Sequence, residues 1–343
     1  MTEKTIVFHD PRKEPFEIFG LYNPLEPGQF IRIPMDVAEK CNPGVVSNGK
    51  FTAGGRVRFK TNSTVIRIKV KTGKTSQMFH ATPLMESGFD FYLKTKIGYK
   101  YGGCFKTDFA SRSEYALSVN LPGGEKEITL NMPLYGSVHS LEIGLEEGAT
   151  LSKHSPYSLM KPVVYYGSSI TQGGCASRPG KSYQDLISRK YDINYTNLGF
   201  SGSAKGEPAM CEFLAGREMS AFVCDYDHNA PTVEHLQATH YPLYEAIRAK
   251  HPNIPYIMVT RPGFFYNSGE VDRRAIIMDS YLKALRSGDR NVWFVDGAGF
   301  FRGMELGDWS VDNCHPTDDG FEAMAASIGE VIGKLLEKGF IKE

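Results

Sequence analysis

The stretch Val163–Gly174, VVYYGSSITQGG, sets how the rest of the chain is read. Two valines and two tyrosines suit a buried strand, because β-branched and aromatic side chains pack well on a pleated surface. The strand runs into Gly167, then a Ser168-Ser169 pair, Ile170-Thr171 and finally Gly173-Gly174. Two hydroxyls followed by residues of high backbone freedom admit two readings. One is a strand that ends in an ordinary turn or caps a helical turn. The other is a nucleophile held at the carboxyl end of a sheet.

The segments that follow repeat the rhythm. PVVYYG leads into a helical SYQDLISRKY and YTNLGF into EPAMCEFLAG. AFVCDYD leads into the long TVEHLQATHYPLYEAIRAKH, with a kink expected at Pro242. PYIMVT precedes DRRAIIMDSYLKALRSG, and NVWFVDG precedes the closing GFEAMAASIGEVIGKLLEKG. Strand and helix thus alternate five times from Lys161 onward. That pattern predicts a parallel sheet covered by helices on both faces, with ligands beyond the carboxyl ends of its strands.

Upstream, to about Glu147, the period changes to two. RVRFKTNSTVIRIKVKTG reads as a hairpin, with Val57, Phe59, Ile66, Ile68 and Val70 facing inward. Arg56, Arg58, Lys60, Arg67, Lys69 and Lys71 would face solvent. GFDFYLK, YALSVNL, EITLNMPL and SLEIGLE continue the theme, with no long helix between them. Short strands separated by turn residues predict an antiparallel, jelly-roll-like β-sandwich. The polar segment LSKHSPYSLMK reads as a linker, giving an accessory domain over 1–150 and a second domain over 160–343.

Composition bounds the function classes. With 343 residues, 41% hydrophobic and 23% charged, the chain has room for two ordinary cores. Lys+Arg and Asp+Glu both total 39, so net charge is zero and a nucleic-acid partner is not expected. No apolar run approaches the roughly 18–20 residues of a membrane helix. The start, MTEKTIVFHD, lacks the apolar core of a signal peptide, so the expected location is cytoplasmic, or exported as a mature form. The cysteines Cys41, Cys104, Cys175, Cys211, Cys224 and Cys314 contain no CxxC and are expected to be free thiols.

The chemistry gathers after the strands. The first is followed by Gly167-Ser168-Ser169-Ile170-Thr171, the second by Asn197-Leu198-Gly199-Phe200-Ser201-Gly202. The third is followed by Asp225-Tyr226-Asp227-His228-Asn229, and the loop before the last helix carries Asp312-Asn313-Cys314-His315-Pro316. Acyl transfer needs a nucleophile, a base, a group that orients the base, and donors for an oxyanion. These loops contain residue types for each.

The blocks GSSIT, NLGFSG, DYDHN and DNCHP, in this order, resemble those of the SGNH (GDSL-type) serine hydrolases, from about Pro162 to Gly339. The front half resembles the amino-terminal module of two-domain members that remove acyl groups from carbohydrates. The resemblance implies a flavodoxin-like, three-layer α/β hydrolase domain with a five-stranded parallel sheet behind the sandwich. It implies Ser169 as nucleophile, His315 as general base and Asp312 as the group orienting it. The N–H groups of Ser169 and Gly202 and the side-chain amide of Asn229 would form the oxyanion hole. Ser168 stands where the family's name has Asp, and the third block reads Asp-His-Asn in place of Gly-x-Asn. His228, beside Asn229, is a candidate substrate contact.

Read without the resemblance, each feature has a structural alternative. Ser168 and Ser169 could cap, Gly202 could supply a turn, Asn229 could form an Asx-turn and Asp312 could cap the last helix. His315 could pack on the surface, as could His235 and His240 on their helix. Cys314 beside His315 suggests a Cys-His pair, though immediate neighbours rarely point at each other. Asp225 and Asp227 suggest a metal, without a third ligand at matching spacing. No cofactor and no metal are expected. The function the resemblance implies is a serine esterase removing small acyl groups, acetyl foremost, from an acylated saccharide or oligosaccharide. The alternatives are a lipase or thioesterase for longer acyl chains, and a non-catalytic carbohydrate-binding protein. The flexible-looking Tyr101-Gly102-Gly103-Cys104 segment is expected to reach the substrate site. Oligomeric state is left open.

Overall fold

In the computed structural model, which describes residues 5–73, 78–107, 113–263 and 268–343, the opening stretch lies in strand Leu159–Gly167, an inner strand of a five-stranded sheet. Side chains alternate across a strand. Val163 and Tyr165 therefore enter one buried layer with Tyr195, Val223 and Ile257, while Val164 and Tyr166 enter the other with Leu198, Phe222 and Met258. Both faces are apolar because both are covered. Helices Tyr183–Tyr191 and Asp318–Glu337 supply Ile187, Phe321 and Ile328 to the first layer. Helices Pro208–Ala215, Val233–Lys250 and Ser268–Arg286 supply Leu214, Leu243 and Ile277 to the second. The long helix starts at Thr232, whose side chain accepts from the His235 N–H at 3.1 Å, and runs on through Pro242.

The five strands, Leu159–Gly167, Ile193–Gly199, Ala221–Asp225, Tyr256–Val259 and Val292–Val295, pair in parallel in the spatial order second, first, third, fourth, fifth. The order reverses at the first strand. A crevice for ligand therefore opens beyond the carboxyl ends of the first and third strands.

The amino-terminal half is a sandwich of a four-stranded and a six-stranded antiparallel sheet. Ile66, Ile68, Val70, Leu141 and Ile143 of one sheet meet Val57, Phe59, Phe91, Ile128 and Leu130 of the other in a single core. The expected hairpin is absent. Arg56–Thr61 belongs to the six-stranded sheet and Val65–Thr72 to the four-stranded one, so the Asn62–Thr64 turn crosses between layers. Lys69 and Lys71 are exposed as expected, but Arg56 and Arg58 are fully buried.

The reason is the second face of the six-stranded sheet, which lies against the parallel sheet's edge. An edge strand leaves alternate carbonyls unpaired. On Ile193–Gly199, Arg56 donates to Tyr195 O at 2.9 Å, and Arg32 donates to Asn197 O at 3.1 Å and Gly199 O at 2.7 Å. Arg56 also reaches Asn194 Oδ1 at 2.7 Å, and its guanidinium lies 3.8 Å from the centre of the Tyr195 ring. Arg58 stacks at 3.6 Å on Tyr157.

Two further expectations change, the linker and the Tyr101–Cys104 loop, while the front half, expected without a long helix, carries only short ones among the described residues. The segment between the halves is packed, with Leu151–Ser152 pairing against Thr61 and Lys60, and His154 and Tyr157 buried. Short helices Met35–Cys41, Pro43–Asn48 and Pro83–Ser87 interrupt the front half, and Ala38 and Val45 of the first two join the parallel sheet's core. Tyr101–Cys104 lies within strand Gly98–Phe105, where Tyr101 covers the Arg178 guanidinium at 4.6 Å.

Candidate active site

The two serines of the opening stretch have different environments. Ser168 keeps an extended backbone and caps the turn Ser169–Gln172, its Oγ accepting from the Ile170 N–H at 3.1 Å. Ser169 is the first helical residue, 8% exposed, at the switch point of the sheet. Its carbonyl accepts from Gly173 N at 3.0 Å, Gly174 N at 2.8 Å and the Tyr135 hydroxyl at 3.1 Å. Gly174 is there for close approach: a Cβ would stand 2.9 Å from Tyr135 Oη, 3.1 Å from His315 Cδ2 and 3.1 Å from Ser169 O.

The loop before the last helix turns back on itself at Asn313, whose φ is +66°. Asp312 Oδ1 accepts from the His315 N–H at 2.8 Å and the Cys314 N–H at 3.2 Å, and Oδ2 lies 2.8 Å from His315 Nδ1. An ionised carboxylate only accepts, so Nδ1 carries the proton and Nε2 the lone pair. That Nε2 lies 2.9 Å from Ser169 Oγ. Burial would raise the Asp312 carboxyl, but the His315 backbone and ring and the Cys314 N–H outweigh it and hold it below its ordinary value.

Asn229 ends the turn Asp227–Asn229 after the third strand. Its Oδ1 accepts from Ser203 N at 3.1 Å and Ala204 N at 3.2 Å, which fixes the amide plane and leaves Nδ2 to donate elsewhere. Gly202 lies in the same loop as Ser203, with φ +64°. A Cβ there would meet nothing within 4 Å, so the left-handed backbone, and not crowding, calls for glycine. His228 lies against the Asp312–His315 loop, its Nδ1 3.9 Å from Cys314 Sγ. Burial first, then Arg261 and His315, push its pKa down to about 3, so it stays neutral.

The acidic pair of the third block is structural in its contacts. Asp225 accepts from Thr171 Oγ1 at 3.0 Å and the Tyr183 hydroxyl at 3.2 Å, beneath the serine turn. Asp227 accepts from the Arg261 N–H at 3.0 Å. His240 is buried, stacked on Tyr226 at 5.9 Å, and His235 bonds the Lys205 carbonyl at 2.7 Å. Cys314 does not pair with its neighbour His315 but faces His228; burial raises its thiol pKa.

Sequence reading missed two neighbours of the site from the front half. Tyr135 reaches the serine turn, and the His80 ring lies 5.6 Å from that of His315. Neither carries a motif or a fixed spacing to the blocks. Among the described residues, His80, Cys175 and His315 form one group whose possible metal-ligand atoms all lie within 4.8 Å of one another. Asp225 and Asp227 belong to no such group.

Residues 160–333 match the family model of GDSL-like lipases and acylhydrolases, which spans just over half the chain. The chain belongs to this GDSL-like lipase/acylhydrolase family. Residues 6–151 match the model described as the N-terminus of SGNH-hydro-type esterases. A Bacteroides ovatus protein described as a GDSL-like lipase is similar over 97% of this chain and 98% of its own, at 27% identity and a TM-score of 0.87. A salicylyl-acyltransferase from a tetracycline biosynthetic pathway shares the fold over 96% of this chain and 97% of its own, at 20% identity and a TM-score of 0.80. A family two carbohydrate esterase from Clostridium thermocellum shares it over 84% and 94%, at 16% identity and a TM-score of 0.63. No curated protein matches. The GDSL-like acylhydrolase is thus an esterase-family chain in which an SGNH-type fold follows antiparallel sheets. None of its described helices is long and apolar enough to cross a membrane.

Proposed function

We propose that the protein is a serine esterase that removes small acyl groups, acetyl foremost, from a saccharide. The observation that carries this reading is the continuous chain from Ser169 Oγ through His315 Nε2, at 2.9 Å, to Asp312 Oδ2, at 2.8 Å from Nδ1. In this mechanism Ser169 Oγ attacks the acyl carbonyl as Nε2 takes its proton. The oxyanion that forms accepts from the Asn229 amide and from the Ser169 and Gly202 N–H groups. Collapse expels the sugar hydroxyl, which takes the proton back from His315, and water then releases the acid by the same route. Asp312 holds the ring in the tautomer that keeps Nε2 free.

The saccharide class is supported by the resemblance of the front half and by what two fold relatives are named for. One is the Clostridium thermocellum esterase, in complex with cellohexaose; the other is an acetyl xylan esterase from Butyrivibrio proteoclasticus. One observation favours a larger acyl group: Phe79, 97% exposed, adjoins His80 with ring centres 4.7 Å apart, and His80 adjoins His315. Acetate release from acetylated saccharides, set beside nitrophenyl esters of increasing chain length, tests both. Ser169→Ala should abolish every activity. Turnover that rises steadily with chain length, without acetate release from any saccharide, would replace the first reading by the second.

A further inference from the structure

The group His80, Cys175 and His315 has a donor set foreign to serine-esterase chemistry. It offers two imidazoles and one sulfur, from three separate loops, with the ligand atoms within 4.8 Å of one another. His80 Nδ1 is buried and has no hydrogen-bond partner. Cys175 is a non-glycine residue at φ +71°, a backbone conformation that persists only where its surroundings impose it. Two nitrogens and a sulfur select borderline-soft divalent cations such as zinc and reject magnesium and calcium.

We propose that His80, Cys175 and His315 form an inhibitory zinc site that switches the esterase off by occupying its base. Zinc bonds of about 2.0–2.3 Å place tetrahedral ligands roughly 3.3–3.8 Å apart, so the most separated pair needs to close by about 1–1.5 Å. Water fills the fourth position. The thiol gives up its proton to solvent as the Zn–S bond forms, and each imidazole binds through a lone pair. For His315 that lone pair is on Nε2, since Nδ1 donates to Asp312. The same lone pair accepts the Ser169 hydroxyl proton, with Oγ 2.9 Å away. Metal and nucleophile therefore compete for one pair of electrons, and binding of one excludes activation of the other. Inhibition rests on His315 serving as the base; metal binding does not.

The full chain, stripped with chelator, is titrated with cobalt(II) as a spectroscopic stand-in for zinc, and ester hydrolysis is assayed in parallel with zinc, magnesium and calcium. One cobalt per chain should bind with a thiolate-to-cobalt absorption band that Cys175→Ser removes and Cys314→Ser leaves in place. Zinc should inhibit hydrolysis and slow fluorophosphonate labelling of Ser169. His80→Gln and Cys175→Ser should still hydrolyse ester without metal, yet need at least about tenfold more zinc for half inhibition, since even outer-shell partners are worth that much. Absence of the band, or equal zinc inhibition of both variants and the parent, would overturn the site. Failure of the parent to hydrolyse any ester would sink the esterase reading alone, because the cobalt titration still decides metal binding. Activity that requires zinc would overturn both.

Discussion

Ser168 and Ser169 are adjacent, buried and chemically identical, yet one residue's difference in backbone position separates a cap from a hydroxyl facing an imidazole. Ser169→Ala should eliminate hydrolysis with an unchanged circular dichroism spectrum. Ser168→Ala should cost about 1 kcal/mol of stability, as cap removal does, and leave turnover measurable. The reverse pattern of activities would place the nucleophile one residue earlier. Asn229 permits a sharper separation, because its two ends have different tasks. Its oxygen holds the Ser203 and Ala204 N–H groups, while its nitrogen is the donor proposed for the oxyanion. Asn229→Ala loses both functions and should lower kcat by about 10²- to 10³-fold with little change in KM. Asn229→Asp keeps the anchor for the loop but puts charge where the oxyanion forms, so it should remain folded and be no faster than Ala. Wild-type kcat in either variant, from steady-state kinetics, would remove Asn229 from the mechanism.

At the scale of the element, the end of the third strand carries a charge problem. Burial pushes the Asp225 carboxyl up to about 7, against the partial relief given by Thr171 and Tyr183. An unfolded aspartate titrates near roughly 3.9, so the folded chain holds a proton that the unfolded chain has released. Stability contributed by this site therefore falls as pH rises from about 4 to about 7, and stays level above that. Asp225→Asn should raise the thermal midpoint, and by more at pH 8 than at pH 5. Equal shifts at the two pH values would mean that the carboxyl ionises normally. The sequence showed this strand and its four parallel partners because a strand covered on both faces is apolar throughout and is followed by a helix with its own period. The blocks of the candidate site were legible for a related reason: each sits at a fixed point, just past a strand or just before a helix. The layer assignment of Arg56–Thr61 was not legible. Alternation says that two faces differ, but it cannot say that the charged face meets another part of the same chain. His80 and Tyr135 were invisible because their contacts to the site are set by how the sandwich docks, and no local spacing encodes that.

For the whole molecule, the decisive surface is the one where sandwich meets parallel sheet. Arg32 and Arg56 satisfy carbonyls of Tyr195, Asn197 and Gly199 that an isolated sheet edge would leave open, and Ile33, Ala38 and Val45 complete its core. A chain beginning at Leu159 should therefore lose more than substrate preference. It should bind a hydrophobic dye, show a broadened thermal transition and hydrolyse even a small ester poorly. Cooperative unfolding and full activity of that fragment on nitrophenyl acetate would show that the docking is incidental. The Tyr135 hydroxyl on the Ser169 carbonyl has a further consequence for heredity. Recombination that exchanged the front half for one from a distant relative would import a new grip on the Ser169 turn along with any new substrate surface. The two halves are therefore bound to drift as a pair, and a breeder of chimaeric enzymes would have to carry Arg32, Arg56 and Tyr135 across each junction.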